Sequence, residues 1–217
     1  MTNTLIISGG NIETGLALEM LKKPFEHIIG VDGGLRFCYE HEIVPTRIVG
    51  DFDTLEPEIL DWYKNHTQIE IREFNPVKDS TDTHIAIGMA LELQSDSITI
   101  LGGTGTRLDH VLGNIQTMYL ALEKNVPCQM LDSHNRIQLI RNQYSIRREE
   151  QYGTYFSLIP LTTDVTGVTI RGAKYPLEQH SFSVLGSGSL GISNEIVDEQ
   201  TEIQIESGIM ILIESKD

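Results

Sequence analysis

The chain has 217 residues, with 16 Lys and Arg against 31 Asp and Glu, for a formal net charge of −15. Its 40% hydrophobic and 22% charged residues exclude a disordered or fibrous chain. The acidic balance argues against the clustered basic surface that tracks nucleic-acid phosphates. At this size about 70% of the unfolded surface can be buried, enough for one large core or two small ones.

Strands and helices alternate through the first two thirds. Leu5–Ser8 is an apolar strand ending in Gly9-Gly10, followed by a helical pattern over Thr14–Lys22. Ile28–Val31 ends in Asp32-Gly33-Gly34 and leads into a helix over Leu35–His41. Arg47–Val49 ends in Gly50-Asp51-Phe52-Asp53, and Thr54 is placed to cap a helix over Glu56–Lys64. Ile69–Phe74 reads as a fourth strand, Thr83–Leu93 as a helix and Ser97–Leu101 as a fifth strand. His110–Lys124 reads as one long helix and Pro127–Leu131 as a sixth strand. This alternation predicts a mostly parallel sheet with helices on its faces.

The pattern changes after Asp132. Ile137–Arg141, Tyr155–Ile159, Val165–Ile170, His180–Val184, Gly191–Ile196, Glu202–Glu206 and Ile209–Glu214 are short strand-like runs separated by turn residues. They predict an antiparallel sandwich. The expected organisation is an α/β domain over 1–132 and an all-β domain over 136–217. Cys38 and Cys128 have neither CxxC nor metal spacing and read as buried free thiols in a reducing compartment. No apolar run reaches the roughly 18 residues of a membrane helix, and the N-terminus lacks the features of a signal peptide. A soluble cytoplasmic protein with no membrane partner is expected.

Acidic residues follow several of the α/β strands. Asp32 follows the second, Asp51 and Asp53 the third, and Asp79 and Asp82 the fourth. Asp109 lies beyond the fifth, after Gly102-Gly103-Thr104-Gly105-Thr106-Arg107. Parallel strands bring their C-terminal ends to one edge, where ligands bind, so these carboxylates are expected to share a cleft. Without a cation they repel one another. An all-oxygen donor set suits a hard ion, Mg²⁺ first, completed by water and substrate phosphates. Gly9-Gly10, Gly33-Gly34 and Gly102-Gly103 let backbone approach phosphates closely, and Lys78 and Arg107 are placed to neutralise them. The site reads as one for Mg²⁺ and a polyphosphate.

Two motifs are set aside. Asp51-Phe52-Asp53-Thr54 resembles the DxDxT strand end of haloacid-dehalogenase-type phosphatases, but there it ends the first strand, whereas two strand–helix units precede it here. Gly186-Ser187-Gly188-Ser189-Leu190-Gly191 fits GxGxxG, but a strand-like run follows instead of the helix that motif needs.

Taken in order, Asp32-Gly33-Gly34, Gly50-Asp51-Phe52-Asp53, Lys78-Asp79-x-Thr81-Asp82 and Gly102-Gly103-x-Gly105-x-Arg107-x-Asp109-His110 resemble the thiamine pyrophosphokinase family, as does Gly191-Ile192-Ser193-Asn194-Glu195 near the C-terminus. The resemblance implies transfer of the pyrophosphoryl group of ATP to the thiamine hydroxyl, giving thiamine diphosphate and AMP. It implies a homodimer with sites between the α/β domain of one subunit and the β domain of the other. Asp51, Asp53 and Asp79 would hold Mg²⁺, with Asp32 and Asp82 close by. Arg107 would act on the phosphates, and Asp32, Gly33, Lys78, Asp82, Gly103 and Asp109 would bind the nucleotide. Ser193, Asn194 and Glu195, with Asp109, would bind thiamine. Thr54 stands where Ser is common in the family, and Thr106 where Gly is common. A different Mg²⁺-dependent phosphotransferase or hydrolase on the same scaffold, and a non-catalytic binding protein, are the alternatives.

Overall fold

A computed structural model describes residues 1–73, 81–186 and 189–217. It divides into two compact units, Met1–Ser133 and His134–Asp217. The first runs β1 (Asn3–Ile7), α1 (Thr14–Leu21), β2 (His27–Val31), α2 (Gly34–Glu40), β3 (Arg47–Gly50) and α3 (Pro57–His66). It continues with β4 (Glu70–Glu73), α4 (Asp82–Glu92), β5 (Ser97–Leu101), α5 (Leu108–Thr117), α6 (Tyr119–Glu123) and β6 (Cys128–Leu131).

The strands of this unit lie in the order β4-β3-β2-β1-β5-β6, and each adjacent pair is parallel. Leu5, Ile6 and Ile7 are fully buried. A central parallel strand is covered on both faces, which is why it reads as a continuous apolar run and not as an alternation. The chain steps from β1 out to β4 on one side, then returns to lay β5 on the other. That reversal opens a crevice beyond the C-terminal ends of β1 and β5. Ile7 pairs with both Gly30 of β2 and Leu101 of β5, so the three strands end level at its floor.

Two local expectations for this unit are corrected. The long helix over His110–Lys124 is broken at Met118, between α5 and α6. The Thr117 hydroxyl donates back to the Gly113 carbonyl at 2.7 Å, a bond that competes with the helical ladder and bends it. Thr54 does not cap a helix. The next helix, α3, starts at Pro57 behind Glu56, and the Thr54 hydroxyl goes elsewhere, as described below. The fourth strand covers Glu70–Glu73, and Phe74, expected at its end, lies outside the described residues.

The second unit contains β7 (Asn135–Ile140), β8 (Gln143–Arg147), β9 (Tyr155–Pro160), β10 (Asp164–Arg171), β11 (Leu177–Ser183), β12 (Gln200–Gln204) and β13 (Met210–Ser215). β13 lies antiparallel between β7 and β9, and a second antiparallel sheet has the order β11-β10-β12-β8. Ile140, Phe156, Leu158, Met210 and Leu212 of the first sheet share one core with Ile146, Val165, Val168, Ile170, Phe182 and Ile203 of the second. This is the expected sandwich. Glu214 takes the inward period of β13, and its carboxylate is 1% exposed. Arg136 donates to both its oxygens at 2.6 Å, and the Tyr152 backbone N–H donates at 2.9 Å. A buried charge is tolerated only when satisfied in this way.

β8 is a strand that the sequence reading left out, because only Ile146 in Gln143–Arg147 is fully buried. Gly191–Ile196, expected as a strand, forms only single bridges, Asn194 to Phe156 and Ile196 to Ala173. Ser193 sits at φ +58°, in the left-handed region that interrupts an extended ladder. The glycine-rich Gly186–Gly191 segment has no helix after it, and its Ser187 and Gly188 lie outside the described residues. Cys38 and Cys128 are buried and free, and burial pushes both thiols up to about 12. Among the described residues no helix is long and apolar enough to cross a membrane.

Candidate active site

The crevice at the sheet edge is a cavity of about 460 Å³. Its walls are Ser8–Asn11 after β1, Asp32 and Gly33 after β2, Thr81–Thr83 at the start of α4, and Gly102–Arg107 after β5, with Arg36, Thr54 and His110 alongside. The loops after β1 and β5 are joined by backbone bonds: Ser8 N–H to the Leu101 carbonyl, Gly10 N–H to Gly102 and Asn11 N–H to Thr104, at 2.7–2.8 Å. A Cβ on Gly10 would lie 2.2 Å from the Thr104 carbonyl oxygen, so only glycine permits this approach. The Gly10 and Asn11 amides are thereby used within the protein. The expectation that Gly10 offers its N–H to phosphate is corrected on this point; its role is to let the loops close. Asn114 holds the far wall by donating from Nδ2 to the Gly103 carbonyl at 2.8 Å.

Asp32, Asp51 and Asp53 come together at the ends of β2 and β3. Each offers a carboxylate oxygen within 4.8 Å of the others. The local backbone is unusual. Asp32 sits at φ +43° and Phe52 at φ +56°, a region that costs a bulky residue roughly 1–3 kcal/mol and that is concentrated at functional sites. Phe52 is buried although the acids on either side of it in sequence are not. The Asp53 N–H donates to Asp51 Oδ1 at 3.3 Å. Gly50 leaves room for this turn, since a Cβ there would meet the Asp32 backbone at 3.1 Å. Asp51 is the main reason that the Asp53 carboxyl is held above its ordinary value, with Asp32 and Asp82 adding to it. A bound cation would relieve repulsion of this kind.

One atom is left orphaned here. Thr54 Oγ1 donates to Asp32 Oδ2 at 3.0 Å, while Asp32 Oδ1 is buried with no hydrogen-bond partner. A buried carboxylate oxygen without a donor is costly, and a hard cation among these three acids would satisfy it. The residues present fit such an ion.

Asp82 opens α4 behind Thr81, whose hydroxyl caps the helix by accepting from the His84 N–H at 3.2 Å, and Asp82 faces the same crevice. Arg107 is exposed at the mouth. Its Nη2 donates to Asp109 Oδ2 at 2.6 Å and its Nε to Oδ1 at 3.3 Å. The two-pronged bond draws the Asp109 carboxyl down to about 2. Thr106 is not at positive φ, so its side chain brings no backbone strain. Lys78 and Asp79 lie outside the described residues.

The C-terminal trio sits in the second unit. Asn194 is buried; its Oδ1 accepts from the Tyr175 and Glu195 N–H groups and its Nδ2 donates to the Tyr175 carbonyl. Glu195 pairs with Lys174 at 2.5 Å. Ser193 is exposed, and its N–H donates to Ser157 Oγ at 3.0 Å.

Sequence reasoning missed Arg36 and misassigned Thr54. Arg36 Nε donates to both Glu56 oxygens at 3.0–3.1 Å, and Nη2 to the Thr54 carbonyl at 3.4 Å. The available signal was its place four residues after Asp32, at the edge of the crevice.

Two family models match the chain: "Thiamin pyrophosphokinase, catalytic domain" over residues 18–130, and "Thiamin pyrophosphokinase, vitamin B1 binding domain" over residues 143–210. A thiamine pyrophosphokinase of Bacillus subtilis is 37% identical over 191 residues, covering 87% of each chain. One from Oryza sativa subsp. japonica is 28% identical over 176 residues, 76% of this chain and 64% of the relative. The crystal structure of the Bacillus subtilis enzyme superimposes with a TM-score of 0.86 at 32% identity, over 100% of both chains. That of a Candida albicans thiamin pyrophosphokinase gives 0.83 at 22% identity, covering 99% of this chain and 89% of the other, and at that identity it bears on the fold alone.

Proposed function

This chain belongs to the thiamine pyrophosphokinase family, whose enzymes transfer the pyrophosphoryl group of ATP to thiamine, and on that premise we propose that its strand-end carboxylates hold Mg²⁺ beside the ATP phosphates. The observation that carries the reading is the Asp32, Asp51 and Asp53 cluster with its orphaned buried oxygen. Asp51 and Asp53, just after β3, are the ion's ligands, Asp32 stands close enough to add an oxygen, and Asp79 is the further ligand that the family resemblance adds. When bound, Mg²⁺ would neutralise negative charge on the ATP phosphates.

The rest falls to the chain's own residues. The thiamine hydroxyl attacks Pβ in line, its O–Pβ bond forming as the bond from Pβ to the Pα bridging oxygen breaks and AMP departs. Positioning and electrostatic stabilisation account for most of the rate in such transfers. Arg107 contributes a planar fork that matches two phosphate oxygens, and Lys78 adds a point charge. Gly33, Gly103, Asp82 and Asp109 line the nucleotide. A carboxylate accepts the hydroxyl proton. Asp53 and Asp79 are the candidates.

Thiamine is assigned to Ser193, Asn194 and Glu195 with Asp109. The Asn194 amide, bonded to the Tyr175 and Glu195 backbone, also shapes that loop. The assembly is proposed as a homodimer in the cytoplasm. Support for a partner comes from Val184, Leu185, Leu190 and Ile192, large apolar residues left exposed near one another in the sequence of the second unit.

The test is one incubation with ATP, Mg²⁺ and thiamine, resolved for every nucleotide and thiamine product. Thiamine diphosphate and AMP are expected in equal amounts, absent with EDTA and restored by excess Mg²⁺. Formation of ADP and thiamine monophosphate would overturn the transfer step, and product made at full rate in EDTA would overturn the metal assignment.

A further inference from the structure

Thr54 joins the site through its partner, not through a ligand. Its hydroxyl donates to Asp32 Oδ2 at 3.0 Å, across 22 residues of sequence. We propose that Thr54 is a positioning residue that turns the Asp32 carboxylate so that Oδ1 is the oxygen offered to the cation. The inference rests on the Mg²⁺ reading above and adds a residue to it.

The Asp32 backbone is fixed at φ +43°, with its N–H tied to the Val49 carbonyl at 2.9 Å. The last torsion of an aspartate is nevertheless broad. Without a partner, the carboxylate spreads over orientations that present either oxygen or neither squarely. A donor on one oxygen selects one orientation. Threonine suits this role because its branched Cβ restricts the hydroxyl's own rotamers.

The donor is itself held. Arg36 bonds the Thr54 carbonyl at 3.4 Å and is braced by both oxygens of Glu56. Glu56 in turn starts α3. The arrangement is a short chain of bonds from a helix start, through an arginine and a backbone carbonyl, to a hydroxyl on an acid that faces the site. Partners that orient metal ligands commonly contribute a factor of 10–100 in affinity.

The experiment is a titration of the intact protein with Mn²⁺ alone, with free Mn²⁺ read by electron paramagnetic resonance, for wild type, Thr54→Val, Thr54→Ser and Asp51→Asn. Thr54 is exposed, so Thr54→Val is expected to keep the wild-type thermal midpoint. Its Mn²⁺ dissociation constant should rise about tenfold, while Thr54→Ser, which keeps the hydroxyl, stays within about threefold of wild type. In turnover, Thr54→Val should raise the Mg²⁺ concentration needed for half activity more than it lowers kcat at saturating Mg²⁺. Wild-type Mn²⁺ affinity in Thr54→Val, with Asp51→Asn weakened, would overturn the role of Thr54 alone. Weakening in Thr54→Ser as large as in Thr54→Val would overturn it too, because the serine keeps the hydroxyl. Wild type and Asp51→Asn binding Mn²⁺ equally would overturn the metal reading, and this inference with it.

Discussion

Asp51→Asn and Asp53→Asn are each expected to lower kcat by at least about 10³-fold while the chain stays folded. Both acids leave β3 within three residues, on either side of a left-handed Phe52, and neither side chain is in the hydrophobic core. Replacing one of them removes a carboxylate charge from the proposed ion site and leaves the packing alone. For the metal-free protein the effect on stability has a definite sign. The folded state holds the Asp53 carboxyl above its ordinary value, chiefly because of Asp51. As pH rises from the ordinary carboxylate range through that raised value, the folded state loses stability relative to the unfolded chain. Asp53→Asn removes this loss, so its thermal midpoint without metal should be no lower than that of wild type at neutral pH. Near-wild-type turnover in either variant would contradict the assignment.

Arg107→Ala is expected to lower kcat/KM by about 10²–10³-fold, and Arg107→Lys to recover only part of it. Lysine keeps the charge but lacks the fork that spans two phosphate oxygens. Here that fork is occupied by Asp109. The pair is exposed on both sides, and exposed pairs are cheap to break in water. A polyphosphate carrying several charges outcompetes one carboxylate for the same donors. Steady-state kinetics on the three proteins, with ATP varied at saturating thiamine, checks this. Equal rates for the lysine variant and wild type would show that charge alone is needed.

The α/β half was legible because its signals are local. A parallel strand buried on both faces shows as an apolar run such as Leu5–Ile7, and its acidic or glycine-rich end marks the site edge. Strand topology then supplied the convergence of Asp32, Asp51 and Asp53 from separate stretches of sequence. What was not legible depends on partners remote in sequence. The Thr54 hydroxyl looks like a helix cap until the chain folds and Asp32 comes within 3.0 Å. The bend at Met118 comes from one threonine bonding back along its own helix, which apolar periodicity does not register. In the β half, β8 was hidden by its polar outward face. The strand expected over Gly191–Ile196 was lost to a single left-handed residue, Ser193. Arg36 carried only a weak signal, a basic residue four positions after an acidic strand end.

The central claim is that the acids ending β2 and β3 hold the divalent ion used with ATP. The most direct measurement is anomalous diffraction from crystals grown with Mn²⁺, thiamine and an ATP analogue whose Pα–Pβ bridge is a methylene. The account predicts an Mn²⁺ peak bound by Asp51 and Asp53, with Asp32 Oδ1 turned toward it and analogue phosphate oxygens completing its shell. A peak elsewhere in the protein, with these three carboxylates left without metal, would contradict it.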